Sequence, residues 1–141
     1  MIILDTNVVS EPMKPNGDPA VLDWLDQQVA ATLYVTSTSL AELLLGIEVL
    51  PNGRRKKALT SGLSELMSSL FGPRVLPFDE QASLRFAPLV GRARAAGRVV
   101  SVADGQIAAI AAAHKFVVAT RDTGPFVAAG VSVINPWDVR H

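Results

Sequence analysis

The sequence predicts an α/β fold in which helices cover both faces of a mainly parallel sheet. Short runs of apolar and β-branched residues alternate along the chain with longer segments that carry helical periodicity. Apolar runs without polar alternation are typical of strands buried on both faces, and helical crossovers between them favour parallel pairing. We find no internal repeat, low-complexity tract or linker that would interrupt this pattern.

The predicted strands are short apolar runs that recur along the whole chain. The first of them, "IILD", stands directly after the initial methionine and ends on Asp5, with no charged residue before it. Runs rich in valine, isoleucine and leucine fit the interior of a parallel sheet. The predicted strands cover residues 2–5, 32–37, 74–78, 116–121 and 131–134.

Five helices are predicted between these strands, and most of them have recognisable start or stop signals. Asp18 followed by Pro19 is a favourable N-cap and first helical residue. The second helix is stopped by "PNG", the third by "GP" and the fourth by Gly97. The predicted helices cover residues 18–30, 39–50, 54–71, 80–96 and 102–114.

Length and composition predict a single domain, residues 1–141, located in the cytoplasm. A chain of 141 residues can bury one continuous core but is short for two. With 49% hydrophobic and 18% charged residues it is more apolar than an average soluble domain, so we expect a partner to cover part of its surface. Its apolar segments are too short for a membrane span of about 20 residues, and the N-terminus lacks the pattern of a signal peptide.

The cysteine and charge content limit the kinds of metal site and partner that the protein can have. The absence of cysteine excludes disulfides and thiolate chemistry, so any metal must be held by oxygen ligands or by one of two histidines. Lysine plus arginine and aspartate plus glutamate number 13 each, so the net charge gives no indication of a nucleic-acid partner. The positions of the acids are more informative, because several of them stand singly in apolar surroundings.

Two of these acids follow the first two predicted strands. Asp5 closes the first strand, and "DTN" is also good capping chemistry for a following turn. Ser39 and Glu42 form an S-x-x-E capping box, which predicts Glu42 in the first turn of the helix after strand 32–37. Each acid therefore has a local structural explanation as well as a possible functional one.

Two further acids have similar settings. Ser101 precedes Asp104 by three residues at the start of an apolar helix, which is again a capping pattern. Asp122 follows strand 116–121 and enters the turn sequence "DTG". Capping explains each acid separately, but all four are predicted at the carboxyl edge of the sheet, where ligands of open α/β sheets bind.

Such a cluster of carboxylates predicts a divalent metal site. Like charges held close together in a partly apolar cleft raise one another's pKa unless a cation neutralises them. A ligand set made only of oxygen favours Mg²⁺ or Mn²⁺ over zinc. A metal of this kind activates water and stabilises charge on phosphorus, which predicts a metal-dependent nuclease.

The segments around the four acids also resemble a known family. "IILDTNVVSE", "TSTSLAELLLGI", "VSVADGQIAAIAAAH" and "VVATRDTGPF" resemble, in order, the four acidic motifs of the PIN-domain ribonucleases. Within that family they are most similar to the VapC toxins of bacterial type II toxin–antitoxin systems, and to their FitB-like branch. The ending "VINPWD" also fits this branch.

The resemblance implies a three-layer α/β/α sandwich and an endoribonuclease that needs Mg²⁺ or Mn²⁺. It implies that Asp5 and Asp104 bind the metal directly, while Glu42 and Asp122 act through water or hold a second ion. Two hydroxyl residues match polar positions that orient a carboxylate or a metal-bound water in the family, namely Thr6 and Thr120. All four acids are present, so nothing in the sequence suggests an inactive copy.

The resemblance also implies partners. The usual partner in the family is a small antitoxin of the VapB or FitA kind, which occludes the active site and represses its own operon through a DNA-binding end. The toxins typically form homodimers that pair again in the complex with the antitoxin.

An RNA substrate needs cationic contacts, and five arginines are candidates for them. Arg121 is a candidate because it adjoins Asp122, and the others lie in or just after the predicted helix 80–96. A solvated helix face would explain the latter equally well. The candidates are Arg85, Arg92, Arg94, Arg98 and Arg121.

The sequence is also compatible with two other functions. A haloacid dehalogenase-like phosphotransferase also begins with an apolar strand ending in aspartate, but it needs a second acid at the position of Asn7. A non-catalytic α/β module could instead use the acidic edge to bind an arginine of a partner protein. Dependence of RNA cleavage on a divalent metal separates the nuclease from the binding module.

Overall fold

The centre of the fold is a five-stranded sheet, seen in a computed structural model that describes residues 1–138. All four strand pairs are parallel and the order is β3-β2-β1-β4-β5, so the first strand of the chain is the central one. The last three residues of the predicted domain lie outside the described range. The strands are β1 (Ile2–Leu4), β2 (Leu33–Thr36), β3 (Val75–Leu76), β4 (Val117–Ala119) and β5 (Val133–Ile134).

Each predicted helix is present, and two short helices were not predicted. The second long helix begins two residues before its predicted start, and the first ends at Asp26, four residues before its predicted end at 30. The five-residue helices α1 and α7 are too short to produce a periodic signal in the sequence. The helices are α1 (Thr6–Ser10), α2 (Pro19–Asp26), α3 (Ser37–Glu48), α4 (Arg54–Leu66), α5 (Glu80–Ala95), α6 (Val102–His114) and α7 (Gly124–Ala128).

Short irregular helices link these elements. A 3₁₀ helix, Glu11–Met13, follows α1, and a second one, Ala30–Thr32, leads into β2. The predicted third helix, 54–71, is continuous but ends in a π-helical turn, Met67–Phe71, which closes at Gly72. Gly72 has φ of 52°, a left-handed conformation that glycine adopts without steric cost.

Helices pack on both faces of the sheet, as the three-layer prediction requires. The alternation of side chains along β1 sends Ile3 to one face and Leu4 to the other. Ile3 packs in a buried cluster with Ile107 of α6 and Phe126 of α7, and Leu4 packs in a second cluster that includes Trp24 of α2. Trp24 is 5% exposed and therefore belongs to the core.

No helix among residues 1–138 is long and apolar enough to cross a membrane.

Candidate functional site

Asp5 lies directly after the central strand, at the carboxyl edge of the sheet, and is 6% exposed. Its Oδ1 accepts the backbone N–H of Thr6 at 2.8 Å and caps α1, as the "DTN" pattern predicts. Its Oδ2 accepts the hydroxyl of Thr120 at 2.8 Å. Burial raises the pKa of Asp5, these two hydrogen bonds lower it, and the charges of Asp104 and Glu42 raise it further. One carboxylate therefore both caps a helix and faces other acids.

Glu42 reaches the same edge by a different route from the one predicted. The predicted capping box of Ser39 and Glu42 is wrong, because α3 begins directly after β2 and its N-cap is Thr36. The Thr36 hydroxyl accepts the backbone N–H of Ser39 at 3.0 Å, so Glu42 belongs to the second turn of the helix. The exposed Glu42 carboxylate accepts the hydroxyl of Thr6 at 3.0 Å, which links α3 to the start of α1.

Asp104 lies in the first turn of α6, as predicted. The side chain of Ser101 is the N-cap and accepts the backbone N–H of Asp104 at 3.1 Å. Partial burial raises the pKa of Asp104, the hydrogen bond with Ser101 lowers it, and the charge of Asp122 raises it. The Asp104 carboxylate therefore interacts electrostatically with acids on both sides of it, Asp5 and Asp122.

Asp122 lies in the loop between β4 and α7, because β4 ends at Ala119 and not at residue 121 as predicted. Its backbone N–H donates to the Thr120 hydroxyl at 3.1 Å, and that hydroxyl in turn donates to Asp5. The fully buried Thr120 thus connects the central strand to the loop that carries Asp122. Thr6 and Thr120, selected from the sequence as supporting residues, each hydrogen-bond one of the four acids.

The four acids share one edge of the sheet, and their chemistry fits a hard divalent cation. All the available donors are carboxylate and hydroxyl oxygens, which Mg²⁺ and Mn²⁺ prefer. The raised pKa of Asp5 and of Asp104 reflects burial together with nearby negative charge, which a cation would offset. However, no three acidic or histidine side chains within residues 1–138 are arranged as a ready-made metal site. These donors therefore fit an ion held partly through water better than one in a closed protein cage.

A large groove opens beside this edge. Its volume is about 760 Å³, and it runs between the segment of α1 and the following 3₁₀ helix on one side and helices α3 and α4 on the other. The lining is mostly apolar, with Thr6 and Glu42 at one end and Lys14, Arg54 and Arg55 among its other members. One end of the groove is therefore part of the acidic edge.

The five predicted RNA-contact arginines are carried by three different segments of the fold. Arg85, Arg92 and Arg94 are exposed on α5, and Arg98 is exposed in the loop that leads to α6. Arg121 is exposed as well, but its guanidinium carbon lies 5.2 Å from the ring centroid of Trp137. Only the last of these arginines has an aromatic contact among residues 1–138.

Sequence reasoning missed several polar contacts that join the elements carrying the acids. The side-chain oxygen of Asn7 accepts the backbone N–H of Arg121 at 3.3 Å. The Thr38 hydroxyl on α3 donates to Gln106 on α6 at 3.0 Å, and thereby links the helices that carry Glu42 and Asp104. Asn7 stands in the "DTN" segment, but nothing in the sequence indicates a partner more than a hundred residues away.

Comparison with known proteins relates the whole chain to one group. A family model described as PIN domain matches residues 2–131. The chain is 50% identical over 139 residues to the VapC ribonuclease Y4jK of Sinorhizobium fredii, covering 98% of this chain and 99% of that protein. It is 44% identical over 137 residues to Toxin FitB of Neisseria gonorrhoeae, covering 97% and 99%. A crystal structure of FitAcB from Neisseria gonorrhoeae superposes with a TM-score of 0.89 at 43% identity, covering 99% of this chain and 100% of that one.

Proposed function

The chain belongs to the PIN-domain family, and from this premise we propose that it is a toxin of the VapC and FitB type that acts as a metal-dependent endoribonuclease. The family prediction made from the four acidic motifs is thereby confirmed. The observation that carries the proposal is the position of four acids on one edge of the sheet, namely Asp5, Glu42, Asp104 and Asp122. The charge of Asp5 interacts with those of Asp104 and Glu42, and the charge of Asp104 interacts with that of Asp122. The hydroxyls of Thr6 and Thr120 add hydrogen bonds with Glu42 and with the backbone of Asp122. The proposed domain covers residues 1–141, and the proposed location is the cytoplasm.

The proposed ion is Mg²⁺ or Mn²⁺, and the acids have different roles towards it. Asp5 and Asp104 are the proposed direct ligands, because Asp5 is buried, Asp104 is partly buried, and burial raises the pKa of both. Glu42 and Asp122 are more exposed, which suits contact through water or a second ion. When bound, such an ion lowers the pKa of a water molecule and stabilises charge on the phosphate.

The residues of the chain supply orientation around this chemistry. The Thr120 hydroxyl fixes one oxygen of Asp5, and the backbone N–H of Thr6 fixes the other. The Thr6 hydroxyl in turn orients Glu42. These contacts hold two carboxylates in set directions in the free protein, which lowers the cost of organising the site during the reaction.

The groove is the proposed binding site for the antitoxin. Its apolar walls suit an apolar segment of a partner, and its Thr6 and Glu42 end suits a basic side chain that reaches towards the acids. Lys14, Arg54 and Arg55 line other parts of the same groove and would favour acidic residues on the bound segment. The proposed partner is thus an antitoxin of the VapB or FitA kind, and the proposed toxin assembly is a homodimer that associates further with it.

RNA cleavage with and without a divalent metal tests the nuclease. Purified protein should cut RNA with Mg²⁺ or Mn²⁺ and lose this activity with a chelator, while Asp5→Asn should be inactive. Glu65→Gln, an exposed acid on α4, is the matched control and should retain activity. Intact RNA with either metal, together with an Asp5→Asn variant as toxic in cells as the parent, would favour the non-catalytic binding module. Metal-dependent cleavage of phosphatase substrates instead of RNA would favour the phosphotransferase.

A charge placed in the groove tests the antitoxin site. Ala58 is exposed and lines the groove, so Ala58→Glu should weaken antitoxin binding while RNA cleavage by the free toxin continues. Lys57→Glu changes a neighbouring exposed residue that is not part of the groove lining and should bind the antitoxin nearly as the parent does. Equal antitoxin affinity of the Ala58→Glu variant and the parent would exclude the groove as the contact.

A further inference from the structure

The loop that carries Asp122 is held at its beginning by the sheet. Thr120 is fully buried, its backbone N–H donates to the carbonyl of Ile134 at 2.9 Å, and its hydroxyl donates to Asp5. Arg121 and Asp122 follow it and are both exposed. An exposed loop segment of two residues has little packing of its own, so the conformation of this segment depends on the few contacts that Arg121 and Asp122 make.

Arg121 is held from two directions. Asn7 of α1 accepts its backbone N–H at 3.3 Å, and its guanidinium lies over the ring of Trp137, 5.2 Å from the centroid. A cation within about 6 Å of an aromatic centroid is attracted by the electron-rich face of the ring, and at an exposed site this attraction is weak. The contacts are on the residue next to Asp122, so they restrict the backbone that carries this acid.

Trp137 is itself fixed in place. Its ring packs against the core cluster that contains Leu4 of the central strand. Its backbone N–H donates to the side-chain oxygen of Asn135 at 3.0 Å, and the Asn135 amide donates to the carboxylate of Asp138 at 3.1 Å. The segment after β5 therefore presents a rigid aromatic surface to Arg121.

We propose that Asn7 and Trp137 are positioning residues which, through Arg121, hold Asp122 in place beside Asp104. This inference rests on the proposed nuclease function. It also changes the role expected for Arg121. Its guanidinium packs on Trp137, so its first role is to hold the loop and not to bind an RNA phosphate. Among residues 1–138 neither the Asn7 nor the Trp137 side chain hydrogen-bonds one of the four acids, so we expect their effect on the reaction to pass through the loop.

Substitutions on the two sides of Arg121 test this role. Asn7→Ala and Trp137→Ala should each lower kcat by about two- to fivefold, which is less than the tenfold or more typical of losing a group that binds a metal ligand directly. KM for RNA should change little, because no contact with the substrate is removed. Trp137→Phe keeps a ring beneath the guanidinium and should restore most of the activity. Val127→Ala, a truncation of an exposed residue on the neighbouring helix α7, should behave like the parent.

Two results would overturn the inference. A parent-like kcat in both Asn7→Ala and Trp137→Ala would show that the loop needs neither contact. A raised KM with unchanged kcat in Arg121→Ala, together with a shallower loss of its activity with salt than the parent shows, would instead make Arg121 a direct RNA contact, because fewer counterions are released when one phosphate contact is missing. Since Trp137 packs against the core, Asn7→Ala keeps the test decisive if Trp137→Ala fails to fold.

Hydrogen exchange gives a readout that does not depend on catalysis. The backbone N–H of Asp122 donates to the Thr120 hydroxyl, so it should exchange about two- to fivefold faster in Asn7→Ala and Trp137→Ala, as the loss of one weak contact at an exposed site predicts. The backbone N–H groups of β1 and β4 should keep parent-like rates. Unchanged exchange at Asp122 in both variants refutes the positioning role, even if the parent protein cuts no RNA. A parent protein that cuts no RNA, together with faster exchange in the variants, refutes only the proposed nuclease function.

Discussion

A methyl group added at Gly105 would test how closely α6 is held against α5 beside the site. Gly105 follows Asp104 in the chain and is buried. A Cβ atom at this position would lie 2.7 Å from Cγ2 of Val90 and 2.8 Å from Cε2 of Phe86, both on α5. Real Cβ contacts are longer than this, so the two helices or these side chains must move apart.

The expected cost follows from two opposing contributions. Overpacking a core contact typically destabilises a protein by about 1–3 kcal/mol. Alanine is favoured over glycine inside a helix by about 1 kcal/mol, which offsets part of that cost in Gly105→Ala. Gly91→Ala is the matched control on α5, because a Cβ at Gly91 would meet nothing within 4 Å. Only the helical preference applies there, so Gly91→Ala should stabilise the protein and the two variants should differ by about 1–3 kcal/mol.

Urea denaturation of both variants measures this difference, and metal-dependent RNA cleavage measures its effect on Asp104. Gly105→Ala should lose activity as well as stability, because the first turn of α6 carries the acid. Adding Val90→Ala to Gly105→Ala removes the closer of the two contacts, so the paired change should cost less than the sum of the single changes. Equal stability of Gly105→Ala and Gly91→Ala would show that the helices separate easily, and the reasoning from this contact would be wrong.

The remaining predictions concern the three polar side chains of Asp104, Glu11 and Thr120. Asp104→Asn should abolish RNA cleavage. It should also raise the free energy of unfolding in metal-free buffer by about 0.5–1 kcal/mol, because it removes a charge beside Asp5 and Asp122. A marked destabilisation would mean that Asp104 is chiefly a structural residue. Addition of Mn²⁺ should raise the melting temperature of the parent and leave that of Asp104→Asn unchanged, which a thermal melt measures directly. Glu11 has a lowered pKa because it accepts the backbone N–H of Asp18, so its stabilisation is present above the unfolded pKa and is lost as the pH falls through the lower folded pKa. Glu11→Gln should therefore destabilise the protein by about 1–3 kcal/mol at neutral pH, and this difference from the parent should shrink below about pH 4. Urea titrations at several pH values measure the difference. A difference in stability that stays constant with pH would contradict the prediction. Thr120→Val removes a hydrogen bond that lowers the pKa of Asp5, so the acid limb of the pH–rate profile should move to higher pH, and an unmoved limb would separate this hydroxyl from the ionisation of Asp5.

The sequence predicted the sheet and the edge that carries the acids, because both depend on the order of elements along the chain. Parallel strands joined by helices bring the carboxyl ends of all strands to one edge, so the order of elements alone was enough to place Asp5 and Asp122 there. The five long helices were predicted for the same reason, with errors of a few residues at their ends. Such errors are expected, since a helix end is decided by one or two hydrogen bonds.

The prediction failed where a single contact decided the outcome. The motif S-x-x-E assigned the N-cap of α3 to Ser39, but Thr36 takes that position because β2 runs into the helix without a loop. Local motifs cannot show whether an earlier hydroxyl competes for the same helix start. The same limitation applies to Arg121, whose contact with Trp137 depends on how the end of the chain folds back and not on the residues beside it.

The capping explanation of the acids and their functional explanation are compatible, because they use different atoms. Capping at Asp5 engages Oδ1 with the backbone N–H of Thr6, whereas Oδ2 accepts the hydroxyl of Thr120. At Asp104 the cap belongs to Ser101, whose hydroxyl accepts the backbone N–H, so the carboxylate itself is not the cap. Substitution by asparagine keeps the oxygen that a cap needs and removes the charge that a cation needs, whereas alanine removes both. The difference between Asp5→Asn and Asp5→Ala in stability therefore reports the hydrogen bonds of this buried side chain, the cap among them, and their common loss of activity reports the site.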